Sequence, residues 1–396
     1  MSNSTSKRDM RLDFFRGVAM FIIFIAHLPG NPWTLWIPAR FGFSDATEIF
    51  VFCSGMASAI AFGSIYVNQG WLMGTSRVVY RVWQVYWAHV TLFLVIAAML
   101  VAIDDALGFD RLHIKKLNLV HFFTNPDQNL LGLLTLTYVP NYFDILPMYI
   151  GILILLPLVM ALAYYSRIAV AVFIIALWLA GTWHWLKLPA EPWSDRSWFF
   201  NPFCWQLIFF TGFAFMRGWI KPPPIDRRLL ILAAAIVVIS IPFAYFRLLN
   251  TFEVLKQERQ AMGPLAEKTD FGIFRYVHFL AVAYLTYAAV GVQGANLKIG
   301  DVWPRVVAIV CLVGQQSLAV FLASLVVAQS MGIFLDLTGR NLLTVAVANL
   351  AGFALLVVTA KCAAYFKSQP WRQAKRPPVE RSVPNAQPER MVHQGR

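Results

Sequence analysis

The sequence predicts an all-α, polytopic integral membrane protein with about ten transmembrane helices. Of its 396 residues, 59% are hydrophobic and only 13% are charged, and the mean hydropathy is +0.60. This composition is typical of a multi-pass membrane protein rather than of a soluble domain. Ten apolar segments are long enough, or nearly so, to cross a hydrocarbon core of about 30 Å. They are 13–29, 46–67, 83–103, 144–165, 168–186, 202–219, 229–247, 271–292, 305–329 and 342–366.

The positions of the basic residues predict the orientation. An even number of spans places both termini on one side, and with the N-terminus inside, most of the 33 Lys and Arg residues fall on inner segments. This bias predicts cytoplasmic termini. It also indicates that the basic residues behind the net charge of +13 contact membrane lipids, and no nucleic-acid partner is expected. Residues 1–369 are predicted to form the membrane domain and 370–396 a basic, disordered cytoplasmic tail. The outer segment 248–270 is polar and charged, and we expect it to be solvated.

The first predicted span has a cation at one end and an imidazole at the other. Arg16 and His27 are eleven positions apart, so they share a helix face and are separated by ~16 Å along the axis. This arrangement suits an enzyme that holds an anionic donor on the inner side and acts on an acceptor hydroxyl on the outer side. The alternative is that Arg16 is a positive-inside anchor and His27 an interfacial histidine.

A group of ionisable residues is predicted on the outer side with His27. Asp45 and Glu48 share a face at the start of the second span, and Asp144 opens the fourth. A carboxylate beside a histidine sets the imidazole tautomer and stabilises the imidazolium, so these residues predict general-base catalysis. Asp45 is alternatively a helix N-cap. His278, about two turns into the eighth span, is alternatively an ordinary hydrogen-bonded interior histidine.

A second group, of arginines, is predicted on the inner side. Arg11 and Arg16 precede or open the first apolar run, and Arg77 and Arg81 lie four positions apart on the helix that enters the third span. Two guanidinium groups on one face can clamp a pair of phosphates, or alternatively anionic lipid headgroups. The sequence has no GxxxxGK[ST], GxSxG or HExxH motif and no metal-ligand spacing. These absences argue against P-loop ATPases, α/β-hydrolases and zincins, and no metal is expected.

Six segments, distributed over most of the chain, carry a resemblance to a known family. They are RLDFFRGVAMFIIFIAH at 11–27, EIFVFCSGMASAIAFG at 48–63, RVVYRVWQVYWAH at 77–89, PNYFDILPMYIGILILLP at 140–157, NPFCWQLIFFTGF at 201–213 and, more weakly, GQQSLAVF at 314–321. In this order they resemble the OpgC family of integral membrane acyltransferases, which are relatives of the acyltransferase-3 superfamily. The set is specific as a whole, although no single segment would suffice.

The resemblance implies a ten-span inner-membrane enzyme that moves a succinyl group from cytoplasmic succinyl-CoA to osmoregulated periplasmic glucans. The superfamily shares an arginine followed by ten residues and a histidine, which is the general base there, and Arg16 and His27 match that spacing. Paired arginines on the third span are associated with the CoA side. Here Arg77 and Arg81 have three residues between them rather than the superfamily's two. Asp144 lies in the family's proline-rich, Asp-containing segment.

This resemblance and the charged residues imply the same division of roles. The polyanionic end of acyl-CoA would rest among the inner arginines, and its pantetheine arm is about as long as the ~16 Å between Arg16 and His27. Candidate oxyanion donors on the acceptor side are Asn141, Trp205 and Gln206.

Two other function classes remain open at this stage. The first is a transporter or flippase for a carbohydrate or lipid-linked substrate, which would also carry intramembrane charges. No inverted repeat is evident in the sequence to favour it. The second is a non-catalytic subunit that recruits glucan-synthesis proteins. An acyltransferase can also associate with such proteins, so they are candidate partners in either case.

Overall fold

The computed structural model describes residues 9–110 and 112–372, and this part of the chain is helical, as predicted. Its only β-pairing is an isolated bridge between Pro189 and Ser197. The predicted tail lies outside the described residues from position 373 onward. The α-helices are α1 (Met10–His27), α2 (Ala46–Ala61), α3 (Gly63–Gln69), α4 (Trp71–Leu107), α5 (Leu112–Lys116), α6 (Val120–Thr124), α7 (Pro126–Thr135), α8 (Ile145–Tyr165), α9 (Arg167–Thr182), α10 (Pro202–Met216), α11 (Arg227–Ser240), α12 (Phe246–Thr251), α13 (Glu253–Ala261), α14 (Gly263–Ala266), α15 (Ile273–Val290), α16 (Trp303–Gln315), α17 (Ser317–Thr338) and α18 (Leu342–Ser368). Short 3-10 helices lie at Pro32–Trp36, Pro38–Arg40, Ile241–Phe243 and Val292–Lys298.

Among these elements, six helical segments are long and apolar enough to cross a membrane, which fits a multi-pass membrane protein. They are Ala46–Gln69, Trp71–Leu107, Ile145–Tyr165, Ile273–Val290, Ser317–Thr338 and Leu342–Ser368. The helices at the other four predicted positions are shorter or more charged. α9, α10 and α11 have 16, 15 and 14 residues, and α1 carries charged residues in its first two turns. The count of ten spans is therefore not confirmed.

The ninth predicted span is divided into two helices at Gln316. Its backbone, at φ −104° and ψ 27°, separates α16 from α17, and α1 packs along both helices. The side-chain amide of Gln315 donates to the Asp13 carboxylate at 3.1 Å, and the Arg16 guanidinium donates to the Ser317 hydroxyl. The polar residues at the start of α1 thus bind the two sides of the break.

Glycines allow the central helices to approach one another closely. A Cβ on Gly55 of α2 would collide with the carbonyl oxygen of Phe209 in α10, and one on Gly212 of α10 would collide with that of Phe52 in α2. Gly17 of α1 meets a main-chain carbonyl of α16 in the same way. Small residues are the usual means by which membrane helices pack backbone to backbone. These contacts hold α1, α2, α10 and α16 in one bundle.

The chain reverses so that several helix ends meet at one end of the bundle. α1 ends at His27, and α2 begins after its N-cap residue, Asp45. α1 also packs against α2, and α2 packs against α10, which in turn packs against α8. α8 begins after Asp144. The end of α1 and the beginnings of α2 and α8 therefore surround a common space.

Candidate active site

A cavity of about 530 Å³ lies where α1 ends and where α2 and α8 begin. Part of its lining is apolar and includes Phe50 and Phe321, whose rings stack with centroids 6.1 Å apart. The polar side chains that line it are His27, Thr34, Arg40, Asp45, Thr47, Asn141, Tyr142, Asp144 and Lys268. Four residues singled out from the sequence thus share one cavity, namely His27, Asp45, Asn141 and Asp144.

His27 is the last residue of α1, and its ring orientation is set by its own helix. Its Nδ1 lies 2.7 Å from the carbonyl oxygen of Ile23, one turn earlier. Because a carbonyl only accepts hydrogen bonds, Nδ1 carries the proton and Nε2 carries the lone pair. Nε2 has no hydrogen-bond partner within residues 9–110 and 112–372. A backbone carbonyl, rather than the carboxylate expected from the sequence, therefore selects a tautomer suited to a general base.

Asp45 is both the N-cap of α2 and a charged group of the cavity wall. One carboxylate oxygen accepts from the amide of Thr47 at 2.7 Å, and the other accepts from the ammonium of Lys268 at 2.6 Å. Burial alone would raise the pKa of Asp45, but the positive charges of Lys268 and Arg275 hold it well below its usual range. Asp45 is therefore negatively charged at neutral pH. It is both the helix N-cap that was considered as an alternative and a residue of the cavity wall.

Glu48 lies behind the cavity rather than in its wall. It is fully buried, and it accepts from the guanidinium of Arg275 at 2.8 Å and 2.6 Å. Its other oxygen accepts from the amide of Asp45 at 2.7 Å, which completes a capping box. This ion pair joins α2 to α15 and holds Asp45 in place. The catalytic role expected for Glu48 stays a prediction.

Asp144 occupies the N-cap position of α8 without making a side-chain cap. Its side chain is buried against the cavity, and its Oδ1 has no hydrogen-bond partner in the described part of the chain. Burial raises the pKa of Asp144 to about 7, although the guanidinium of Arg196 lowers it. Near neutral pH this carboxyl group can therefore donate a hydrogen bond as well as accept one.

Replacing Asp144 with asparagine is expected to flatten the pH dependence of stability. The pKa of Asp144 in the folded protein, about 7, exceeds the ordinary value of about 4. The stability that its protonated form contributes is complete below about pH 4 and is lost as the pH rises through about 7. Between about pH 6 and about pH 8, the Tm in detergent should fall more for the wild type than for Asp144→Asn. Asp127→Asn, at an exposed carboxylate, is the control, and equal slopes for all three proteins would contradict this expectation.

The other predicted acceptor-side residues differ in their placement. Asn141 lines the cavity, and its oxygen lies 3.5 Å from a guanidinium nitrogen of Arg196. Trp205 and Gln206 are fully buried, and their side-chain N–H groups donate to main-chain carbonyls. His278 is also buried, with Nδ1 2.7 Å from the hydroxyl of a serine that precedes α2. Of these four, only Asn141 faces the cavity, and the substrate-binding roles stay predictions.

The four inner arginines lie on two helices with different neighbours. On α1, Arg11 pairs with Asp9 at 2.8 Å, and Arg16 contacts α17. On α4, Arg77 is exposed over a neighbouring tyrosine ring, and Arg81 donates to a neighbouring glutamine. α1 packs against α2, α16 and α17, whereas α4 packs mainly against α3 and α8. A phosphate site common to all four arginines stays a prediction.

Three charged residues of the site were missed in the sequence. Lys268 belongs to the segment 248–270, whose predicted solvation is wrong at its end, because Asp270 is buried and Lys268 pairs with Asp45. Arg275 lies within a predicted span, so the rule that singled out His278 would also have found it. Arg40 gave no signal, because an arginine in a connecting loop is ordinarily solvated.

These features define a multi-pass membrane protein, helical throughout the described residues, with a histidine side chain in a cavity at one end of its bundle. The chain belongs to the OpgC protein family, whose family model matches residues 8–368. No curated protein and no solved structure matches it. The resemblance inferred from the sequence is therefore confirmed. Membership suggests a membrane transferase that modifies glucans by acylation.

Proposed function

We propose that the protein is a membrane-bound O-acyltransferase. It moves an acyl group, with succinyl expected, from cytoplasmic acyl-CoA to hydroxyls of a periplasmic glucan or other polysaccharide. It acts in the bacterial inner membrane with both termini in the cytoplasm. The observation that carries the proposal is the geometry of His27, whose Nδ1 is held by the Ile23 carbonyl while Nε2 is left to a cavity. Family membership supports the reaction class.

The reaction requires a single transfer step. As the acceptor oxygen forms a bond to the acyl carbon, Nε2 of His27 takes the hydroxyl proton. The carbon–sulfur bond of the thioester then breaks, and the proton passes from His27 to the departing thiolate. The products are an ester and the free thiol of CoA, so atoms and charges balance.

Two other residues of the cavity can assist this step. The negative charge of Asp45 favours the imidazolium that His27 becomes, and it partly offsets the positive charge of Lys268, which disfavours that imidazolium. The side-chain amide nitrogen of Asn141 has no hydrogen-bond partner among the residues described, and it is a candidate donor to the oxyanion. Trp205 and Gln206 have their donors committed elsewhere, which leaves Asn141 as the favoured donor of the three.

The donor is proposed to approach from the opposite end of α1. The cavity follows α1 from His27 inward to Ile22, which is in the direction of Arg16. Arg11, Arg16, Arg77 and Arg81 are the proposed partners of the phosphates of CoA. The thioester would then reach His27 along the ~16 Å of helix between it and Arg16.

Replacing Arg81 with alanine is expected to weaken CoA binding and to leave acceptor binding intact. A hydrogen bond to a charged group contributes roughly 1.5–3 kcal/mol, so the Kd for CoA should rise about tenfold to a hundredfold. Calorimetry with the purified protein measures this change. Arg167→Ala, at an exposed arginine that opens α9, is the matched control. An unchanged Kd in Arg81→Ala would exclude Arg81 from the donor site.

Mass spectrometry of envelope glucans tests the function as a whole. Glucans from cells that contain the protein should carry succinyl groups that are missing from cells without it. Identical glucans from the two strains would exclude this acceptor. A purified protein that transports a glycan but binds no CoA would favour a transporter over an acyltransferase.

A further inference from the structure

The charges around the cavity largely neutralise one another. Lys268 lies 2.6 Å from the Asp45 carboxylate. Arg275, behind the wall, lies 2.6 Å from the buried carboxylate of Glu48 and 3.5 Å from that of Asp45. Two cations and two carboxylates therefore form a closed network. Arg40 lies outside this network and lines the same cavity.

One edge of the Arg40 guanidinium group has no partner in the described part of the chain. It ends the short helix Pro38–Arg40 and is half-buried. Its Nε donates to the main-chain carbonyl of Thr34 at 3.2 Å, which fixes the side edge of the group. Nη1 and Nη2 have neither a hydrogen bond nor an ion pair within the described residues. This end-on pair of nitrogens is the edge that binds both oxygens of a carboxylate.

We propose that Arg40 is a specificity-determining residue that binds a carboxylate carried by a substrate in this cavity. The inference rests on the proposed function, because the cavity beside His27 is where the acyl chain and the acceptor meet. A carboxylate can come from the free end of a dicarboxylic acyl chain or from an acidic substituent of the acceptor. In either case the ligand supplies a negatively charged partner for Nη1 and Nη2 of Arg40, which have none among the described residues.

The free energy of desolvating Arg40 should make the cavity bind an anionic ligand more tightly than a neutral one. A neutral chain that fills the cavity removes water from Nη1 and Nη2 without replacing their hydrogen bonds, which is unfavourable. A carboxylate in the same place restores two charge-assisted hydrogen bonds. The difference should appear as a preference of about tenfold to a hundredfold for the anionic substrate.

Acyl transfer by the full-length protein in lipid nanodiscs tests the inference. The donors are succinyl-CoA and acetyl-CoA, and the acceptors are a neutral β-glucan oligosaccharide and the same oligosaccharide bearing a carboxylate. If the acyl chain carries the bound carboxylate, the wild type should favour succinyl over acetyl, and Arg40→Gln should remove that preference. Arg40→Lys should retain part of it. If the acceptor carries the carboxylate, Arg40→Gln should leave the donor ratio unchanged and remove the preference for the acidic acceptor.

A matched control and a binding measurement complete the experiment. Arg247→Gln, at an exposed arginine of α12, should keep both preferences of the wild type. Succinate, with succinamide as the neutral comparison, should raise the Tm of the wild type and not that of Arg40→Gln. An Arg40→Gln protein with both preferences and the succinate shift unchanged would overturn the inference. A wild type that gains stability from succinate through Arg40 but transfers no acyl group would overturn the proposed function and leave the carboxylate site standing.

Discussion

Replacing His27 with alanine is expected to abolish acyl transfer while the protein still inserts and folds. The substitution removes the general base, and such a group contributes roughly a hundredfold to ten-thousandfold to the rate. Among the described residues, the one hydrogen bond that the ring makes is to the carbonyl of Ile23 in its own helix. The ring also packs edge-on against Tyr142 with centroids 5.5 Å apart, but Tyr142 is itself exposed, so the Tm should change little. Mass spectrometry of the glucan and the Tm of the purified protein measure the two effects.

A second histidine provides the control for this experiment. His121 is exposed and stacks on Trp193 with ring centroids 4.2 Å apart. It lies outside the lining of the cavity, so His121→Gln should leave acyl transfer unchanged. His27→Gln keeps a polar group of similar size and should be as inactive as His27→Ala. A His27→Ala protein that acylates glucan at the wild-type rate would exclude this residue as the base.

The positions of the helices follow largely from hydropathy, because hydrocarbon excludes any segment with unsatisfied backbone groups. The segments 144–165 and 342–366 were predicted from apolar length alone, and α8 and α18 lie there. Three polar residues, Gln315, Gln316 and Ser317, interrupt the apolar run 305–329, but the run was predicted as one span. The side chains on both sides of this break bind polar residues of α1, and this contact between distant parts of the chain could not be predicted from local composition. One apolar run was therefore predicted where two helices form.

The residue pairs of the site that were predicted are neighbours within one helix, whereas those that were missed join distant parts of the chain. Arg16 and His27 could be placed on one face from their spacing, because both belong to α1. Asp45 and Glu48 are likewise neighbours on one helix. Lys268 reaches Asp45 from 223 positions away in the sequence, and only the folded arrangement of the bundle brings the two together. Charge pairs between segments far apart in the sequence were thus the part of the site that could not be predicted.

Removing the carboxylate of Glu48 is expected to cause a large loss of stability. In Glu48→Ala the guanidinium of Arg275 would remain buried without the two short contacts that it now makes. Breaking a buried ion pair by removing one partner costs about 3–5 kcal/mol, far more than at the surface. Glu253→Ala, which removes an exposed partner of Lys256, is the control and should leave the Tm nearly unchanged. The Tm and the yield of folded protein in detergent measure the effect.

The variants of this pair also separate a structural role of Glu48 from a catalytic one. The double variant Glu48→Leu/Arg275→Leu removes both charges together and should be more stable than Glu48→Ala, because no unpaired charge is left in the interior. If Glu48 acts only by stabilising the packing of α2 against α15, the double variant should regain acyl transfer as it regains stability. If Glu48 takes part in proton transfer, the double variant should be stable and inactive. Recovery of the rate together with the Tm would therefore assign Glu48 to the support of the site and leave His27 as its base.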